Sequence, residues 1–124
     1  MVGDDHALVL SGIRSLLQSR YEVVGTASDG RQLVEAALRL TPDFVVLDVS
    51  MPVLNGLEAA KQIRDSLPLS KLIFLSMHAN PMYLRKALDV GASAYVLKAG
   101  VVEELLEAMH QVSRGNTYIS PGFG

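Results

Sequence analysis

The sequence predicts an α/β domain: a parallel β-sheet covered by helices on both faces. Three observations carry this. Short β-branched or wholly apolar runs alternate with longer stretches of helical periodicity, the order that βαβ units produce. Apolar residues make up 49% of the 124 and mean hydropathy is +0.27, as expected when strands are buried on both faces rather than one. Polar residues capable of chemistry also recur where apolar runs end: Asp48 after "FVVL", Ser76 after "LIFL" and Lys98 after "YVL". Ligands of open α/β sheets collect beyond the carboxyl ends of the strands, so these side chains are expected to share one rim.

The elements follow in order. "HALVLSGIRSLLQSR" places Leu8, Ile13, Leu16 and Leu17 near one another on a helical face. "YEVVGTA" reads as a short strand. "DGRQLVEAALRL" is a helix with Asp29 at its N-cap and Leu33, Val34, Ala37 and Leu38 on one stripe. "DFVVLD" is a buried strand. "MPVLNG" is a turn in which Pro52 fixes φ and Asn55-Gly56 starts a helix carrying Leu57, Ala60 and Ile63 inward. "KLIFLS" is the next strand, and Pro81 opens a helix that Gly91 closes. "AYVL" and the helix "VVEELLEAMHQVSRG" complete the pattern. The tail, residues 117–124, lacks periodicity and reads as the start of a linker after a domain of residues 1–116.

Composition removes several classes of function. Eleven basic and 13 acidic residues leave a net charge of −2, so no nucleic-acid contact by this segment is expected. The absence of cysteine excludes disulfides, thiolate zinc sites and cysteine nucleophiles. No apolar run approaches the ~18 residues of a membrane span and "MVGDDH" is no signal peptide, so a cytoplasmic domain without membrane partners is expected. No Gly-rich phosphate loop occurs, which argues against a nucleotide or flavin cradle.

Asp4 and Asp5 precede the first helix, and with Asp48 they bring three carboxylates to one end of the sheet. Such carboxylates repel one another unless a cation joins them. Oxygen donors without thiolate select a hard ion, Mg²⁺ or Mn²⁺. Lys98 offsets one charge and grips a phosphoryl oxygen, Ser76 supplies a hydroxyl, and Asp48 becomes a carboxylate nucleophile able to form an acyl phosphate. Each residue also has a plain reading: Asp48 a turn carboxylate, Asp4-Asp5 a helix cap, Lys98 a solvated lysine, Ser76 a turn residue, Tyr95 core filler. His6, His78 and His110 show no ligand spacing.

The set Asp4, Asp5, Asp48, Ser76, Tyr95 and Lys98 resembles that of receiver domains of two-component response regulators. The strings "DDHALV", "LDVSMPVLNG", "SMHAN" and "GASAYVLK" are similar to the NarL/FixJ (LuxR-type) branch, and the match runs from Asp4 to about Ser120. The resemblance implies a flavodoxin-like (βα)5 fold with strand order 2-1-3-4-5. It implies phosphorylation of Asp48 by the phosphohistidine of a sensor histidine kinase. Mg²⁺ would be held by Asp5, Asp48 and the backbone carbonyl of Ser50, with Asp4 acting partly through water. Ser76 and Tyr95 would be the switch pair, and Ser50 and His78 would tune phosphoryl lifetime. The switching surface would span residues 81–115 and serve dimerisation or release of a DNA-binding helix-turn-helix domain lying beyond the linker, so that DNA is reached only through that output domain.

This sequence departs from the family pattern in places. Only "MVG" precedes the paired aspartates, where family members have a longer apolar strand; a truncated first strand and a destabilised or oligomer-prone domain are expected. Gly3 stands where a larger residue is usual, and Ala99 follows Lys98 where many receivers have a cis proline. Two other functions compete. An aspartate-nucleophile phosphatase of the haloacid-dehalogenase type would need a general acid where Ser50 stands. A degenerate receiver or flavodoxin-like binder would act as an interaction module alone.

Overall fold

Alternate residues of strands 44–48, 71–76 and 94–97 feed two separate cores, which is why these strands read as apolar throughout. The computed structural model describes residues 1–51, 54–77 and 79–121. Its elements are β1 (Val2–Gly3), α1 (Ala7–Gln18), β2 (Thr26–Ala27), α2 (Gly30–Leu40), β3 (Phe44–Asp48), α3 (Gly56–Ser66), β4 (Lys71–Ser76), α4 (Pro81–Asp89), β5 (Ala94–Leu97), a 3-10 turn (Lys98–Gly100), α5 (Val101–Ser113) and β6 (Tyr118–Ile119). The sheet is parallel throughout, with order β2-β1-β3-β4-β5-β6. Val45, Leu47, Leu72, Phe74 and Tyr95 face α2, α3 and α4, whereas Val46, Ile73, Leu75, Ala94 and Val96 face α1 and α5. No helix of the described residues is long and apolar enough to cross a membrane.

Helix starts follow the expected chemistry. Asp29 Oδ1 accepts from the Gln32 amide at 2.8 Å, and Asn55 Oδ1 accepts from Glu58 at 2.9 Å. Asn80 Oδ1 accepts from Met82 at 2.9 Å, with Pro81 in the first turn of α4. Gly91 and Gly115 follow α4 and α5 with φ of 94° and 86°, the left-handed closure that the sequence suggests for both. Pro52 of the predicted turn lies outside the described residues.

Three expectations need correction. Leu8 and Leu38 are 89% and 44% exposed; the buried stripes are Ile13 with Leu17, and Leu33, Val34 and Ala37. At ~100° per residue, Leu8 lies well off the Ile13–Leu17 face. "YEVVGTA" forms a strand only at Thr26–Ala27, because β1, its one neighbour in the sheet, offers just Val2 and Gly3 for pairing. At Gly3 an added Cβ would lie 2.9 Å from Leu33 Cδ2, so the packing of α2 on β1 uses the missing side chain.

The tail gives the third correction. Rather than leaving the domain at residue 117, the chain runs on as β6, beside β5 at Ala94 and Tyr95. Gly115 reverses the chain after α5, and an aromatic and a β-branched residue then meet an edge that would otherwise be open. Ser120 is buried: its hydroxyl donates to Glu104 Oε1 at 2.7 Å and accepts from the Leu97 amide at 2.9 Å. Tyr118 donates to the same Glu104 oxygen at 2.9 Å. Burial, then the hydrogen bond and charge of Glu104 and the charge of Glu107, push the Tyr118 phenol up to about 12.

The folded chain thus holds the Tyr118 proton more tightly than the unfolded chain does. The stability this gives is complete below the ordinary tyrosine value of ~10 and is lost as pH rises from there through about 12. Denaturant midpoints measured across that range are expected to fall more steeply for the parent than for Tyr118→Phe. Equal slopes would remove the clasp from the stability of β6.

Candidate functional site

Side chains from three strand ends and the start of α1 meet at the carboxyl rim. Asp48 closes β3, with Val46 and Leu47 buried behind it. Ser76 closes β4 in register with Leu97, and Lys98 begins the turn after β5. Asp4 follows β1; its amide donates to Ala27 O at 3.0 Å, which fixes it although β1 is short. Asn55-Gly56 shapes the return of the chain from β3. A Cβ on Gly56 would overlap the Asp48 carbonyl, and the Gly56 amide donates to Val49 O at 2.9 Å. Only glycine allows α3 to begin that close to the strand.

At the centre is a buried ammonium between two carboxylates. Lys98 Nζ lies 2.8 Å from Asp4 Oδ2 and 3.1 Å from Asp48 Oδ2, with its side chain only 6% exposed. Asp4 is fully buried, and Asp48 nearly so. The Ser50 amide donates to Asp48 Oδ1 at 3.1 Å, so each Asp48 oxygen is held. Carboxylate oxygens of Asp4, Asp5 and Asp48 and a ring nitrogen of His6 come within 4.8 Å of one another.

Burial and charge together set the titration of the pair. Burial pushes the Asp48 carboxyl up; the Ser50 amide and Lys98 pull it down without prevailing, and Asp4 adds to the rise. Burial works against the Lys98 ammonium, but hydrogen bonds and charge from Asp4 and Asp48 outweigh it and hold the lysine above its ordinary value. One ammonium among three carboxylates leaves the rim under-compensated. The donor set, mostly carboxylate oxygen and partly open to water at Asp5, fits a hard divalent cation.

Tyr95 is fully buried beside Phe74, their ring centroids 6.3 Å apart and stacked. Burial pushes its phenol up, and a hydrogen bond with Ser76 opposes the rise. The two residues are therefore in touch across β4 and β5. A cavity of about 510 Å³ opens beside the rim, lined by Asp5, Ser50, Asn55, Tyr83 and Lys86 among others. It leaves room for a reactant next to the carboxylates.

Of the residues singled out in the sequence, Asp4, Asp5, Asp48 and Lys98 are brought together. Ser50 joins them through its amide, and Ser76 meets Tyr95. His78 lies outside the described residues. His110 is on the exposed side of α5, in its last turn. The turn after Lys98 is a 3-10 helix, and no cis peptide occurs among the described residues. His6 was not expected here. Its Nδ1 lies 3.2 Å from Asp5 Oδ1 and 3.4 Å from Asp4 Oδ1. The available signal was its place directly after the paired aspartates, where a helix start keeps it at the rim.

Comparison with known proteins agrees with this architecture. The family described as response regulator receiver domain matches residues 1–110. The chain is 39% identical over 124 residues to the oxygen regulatory protein NreC of Staphylococcus carnosus, covering 98% of this chain and 57% of that one. It thus spans about half the length of the curated relatives it matches. A two-component response regulator of the LuxR family from Aurantimonas superposes with a TM-score of 0.94 at 34% identity, over 99% of this chain and 89% of that one. The isolated REC domain of RcsB from Salmonella enterica, solved with phosphomimetic BeF3-, gives 0.89 at 30% identity over 98% and 92%.

Proposed function

Since the chain belongs to the response regulator receiver domain family, in its NarL/FixJ (LuxR-type) branch, we propose that Asp48 is its phosphoacceptor. The observation that carries this reading is the single lysine shared by Asp4 and Asp48 at a rim that Asp5 also enters. A sensor histidine kinase is the donor. An Asp48 oxygen attacks phosphorus, the bond from phosphorus to the donor's imidazole nitrogen breaks, and that nitrogen keeps the electron pair. Lys98 already faces Asp48 Oδ2, so it can follow the new negative charge without reorganisation. The Ser50 amide keeps Asp48 Oδ1 turned toward the rim.

Asp5 and Asp48, with the Ser50 carbonyl, would hold Mg²⁺ or Mn²⁺, and Asp4 would act partly through water. The ion supplies charge neutralisation for the transferring group. Ser76 then turns toward the phosphoryl group and Tyr95 follows into the space it leaves. Contact between the two hydroxyl groups and the burial of Tyr95 support that coupling. The phosphoryl group favours one of two pre-existing conformations, and the surface of residues 81–115 carries the change to a dimer partner or a DNA-binding output domain. Ser50 and His78 tune how long the phosphoryl group stays. The domain runs through β6 (Tyr118–Ile119), and the chain beyond that strand leads toward the output domain. The reaction is self-phosphorylation with slow hydrolysis, in the cytoplasm, rather than turnover of an external substrate.

The test is uptake of label from a small phosphodonor. Uptake is expected to require Mg²⁺, and peptide mapping is expected to find the label on Asp48. Label retained in Asp48→Asn would remove Asp48 from this role.

A further inference from the structure

Resting on the reading of this rim as a divalent-cation site, we infer that His6 is an additional protein ligand that shifts its preference toward transition ions such as Ni²⁺ and Zn²⁺. Three features of the chain support this. First, the His6 ring stands at the N-cap of α1 but makes no capping hydrogen bond with its side chain. Second, its backbone is anchored, because the His6 amide donates to Asp4 Oδ1 at 2.9 Å. Third, Nδ1 lies 3.2 and 3.4 Å from carboxylate oxygens of Asp5 and Asp4. Ligands held ~2.0–2.2 Å from one ion are themselves about 3.0–3.5 Å apart, so these separations are those of neighbours around a single metal.

The two Asp4 oxygens divide the work. Oδ2 faces Lys98, and Oδ1 faces His6. A cation between Asp4 Oδ1, Asp5 Oδ1, His6 Nδ1 and Asp48 would thus leave the lysine contact in place. Mg²⁺ gains little from such a nitrogen, since it favours oxygen and keeps its waters. Imidazole suits nickel and zinc far better, and affinity for mixed N/O sites rises along the first transition row. An oxygen-only rim would discriminate much less between these ions. The competing explanation is a protonated imidazole acting as a second counter-charge for the carboxylates. The two accounts predict opposite results, because a cationic ring would compete with every metal ion.

Calorimetric titration of the full chain with Mg²⁺, Ni²⁺ and Zn²⁺ separates them, using the parent, His6→Ala and Asp48→Asn. His6 is largely exposed, and unchanged Mg²⁺ binding by His6→Ala serves as its folding control. The expected result is a loss of about tenfold or more for Ni²⁺ and Zn²⁺ in His6→Ala, within the range for disturbing a metal's surroundings. Mg²⁺ affinity should stay within roughly twofold, and Zn²⁺ should shift the His6 ring resonances of the parent. Equal Zn²⁺ affinity in parent and His6→Ala would overturn the inference. A general rise in affinity, Mg²⁺ included, would overturn it in favour of the counter-charge. Should Mg²⁺ fail to bind the parent, or bind Asp48→Asn equally well, the underlying cation site falls as well. Normal Mg²⁺ binding with no effect of His6 confines the failure to this inference.

Discussion

Lys98→Met is expected to destabilise the metal-free domain by about 3–5 kcal/mol, the scale of removing one partner from a buried charge pair. Methionine keeps the length and apolar stem of lysine, so the loss reports charge rather than volume. Asp4 and Asp48 would then face each other in a site where Asp4 is fully buried and Asp48 nearly so. Against the ~5–15 kcal/mol that holds a typical domain, this is a large share. Chemical denaturation with chelator present is the measurement. Mg²⁺ should restore much of the loss, and Asp48→Asn in the same chain should do so without metal.

The pH dependence has a definite sign. Burial already holds the folded Asp48 carboxyl above its unfolded value. A raised carboxyl binds more protons folded than unfolded, so stability falls as pH rises from the ordinary carboxylate value through the folded one. Removing Lys98 takes away a stabiliser of the anion and extends that window upward. Destabilisation by Lys98→Met should therefore be greater at pH 8 than at pH 5. A penalty independent of pH and unrelieved by Asp48→Asn would mean that the lysine acts through packing alone. Under the proposed function the same variant should also slow phosphoryl uptake by about 10²-fold or more, because the developing charge loses its prearranged partner.

Legibility in the sequence followed the range of the forces involved. Strands 44–48, 71–76 and 94–97 were plain because burial on both faces demands uninterrupted apolar residues. The cap at Asp29 and the helix starts at Asn55-Gly56 and Pro81 were accessible because they depend on neighbours within one turn. Asp48, Ser76 and Lys98 could be assigned to one rim from topology alone, since each ends a parallel strand. What sequence could not give was pairing between distant segments. Residues 118–119 are polar-flanked and short, and only the open edge of β5 and the Glu104–Ser120 contact make them a strand. His6 contacts its neighbours Asp4 and Asp5, but the Asp48 carboxylate that joins the same cluster is 42 positions away. Leu8 shows the converse: apolarity without the right angular position buries nothing.

Extending the chain upstream of Met1 by four apolar, β-branched residues is expected to raise stability by about 2–4 kcal/mol. The pattern of hydrogen bonds explains why. Met1 already behaves as strand: its carbonyl accepts from Val46 at 2.9 Å and its ammonium lies 3.3 Å from Phe44 O. Burial pulls that ammonium below its ordinary value. Among the described residues, 22–24 make no backbone–backbone hydrogen bond, although "YEVVG" has strand composition. Between them and residues 42–46 lies a slot of about 240 Å³, floored by Leu17 and Met109. Added residues would enter it in line with β1, giving residues 22–24 and 42–44 a shared partner. Each buried side chain is worth ~1.5–3 kcal/mol, and ordering each backbone residue costs ~1–2 kcal/mol. The new ladder bonds supply the remaining margin. Thermal melts of the two chains should differ by roughly 10 °C, and β2 should lengthen toward Tyr21 in amide-exchange protection. Coincident melts with no new protection over 22–24 would show that the slot is not a place for a strand.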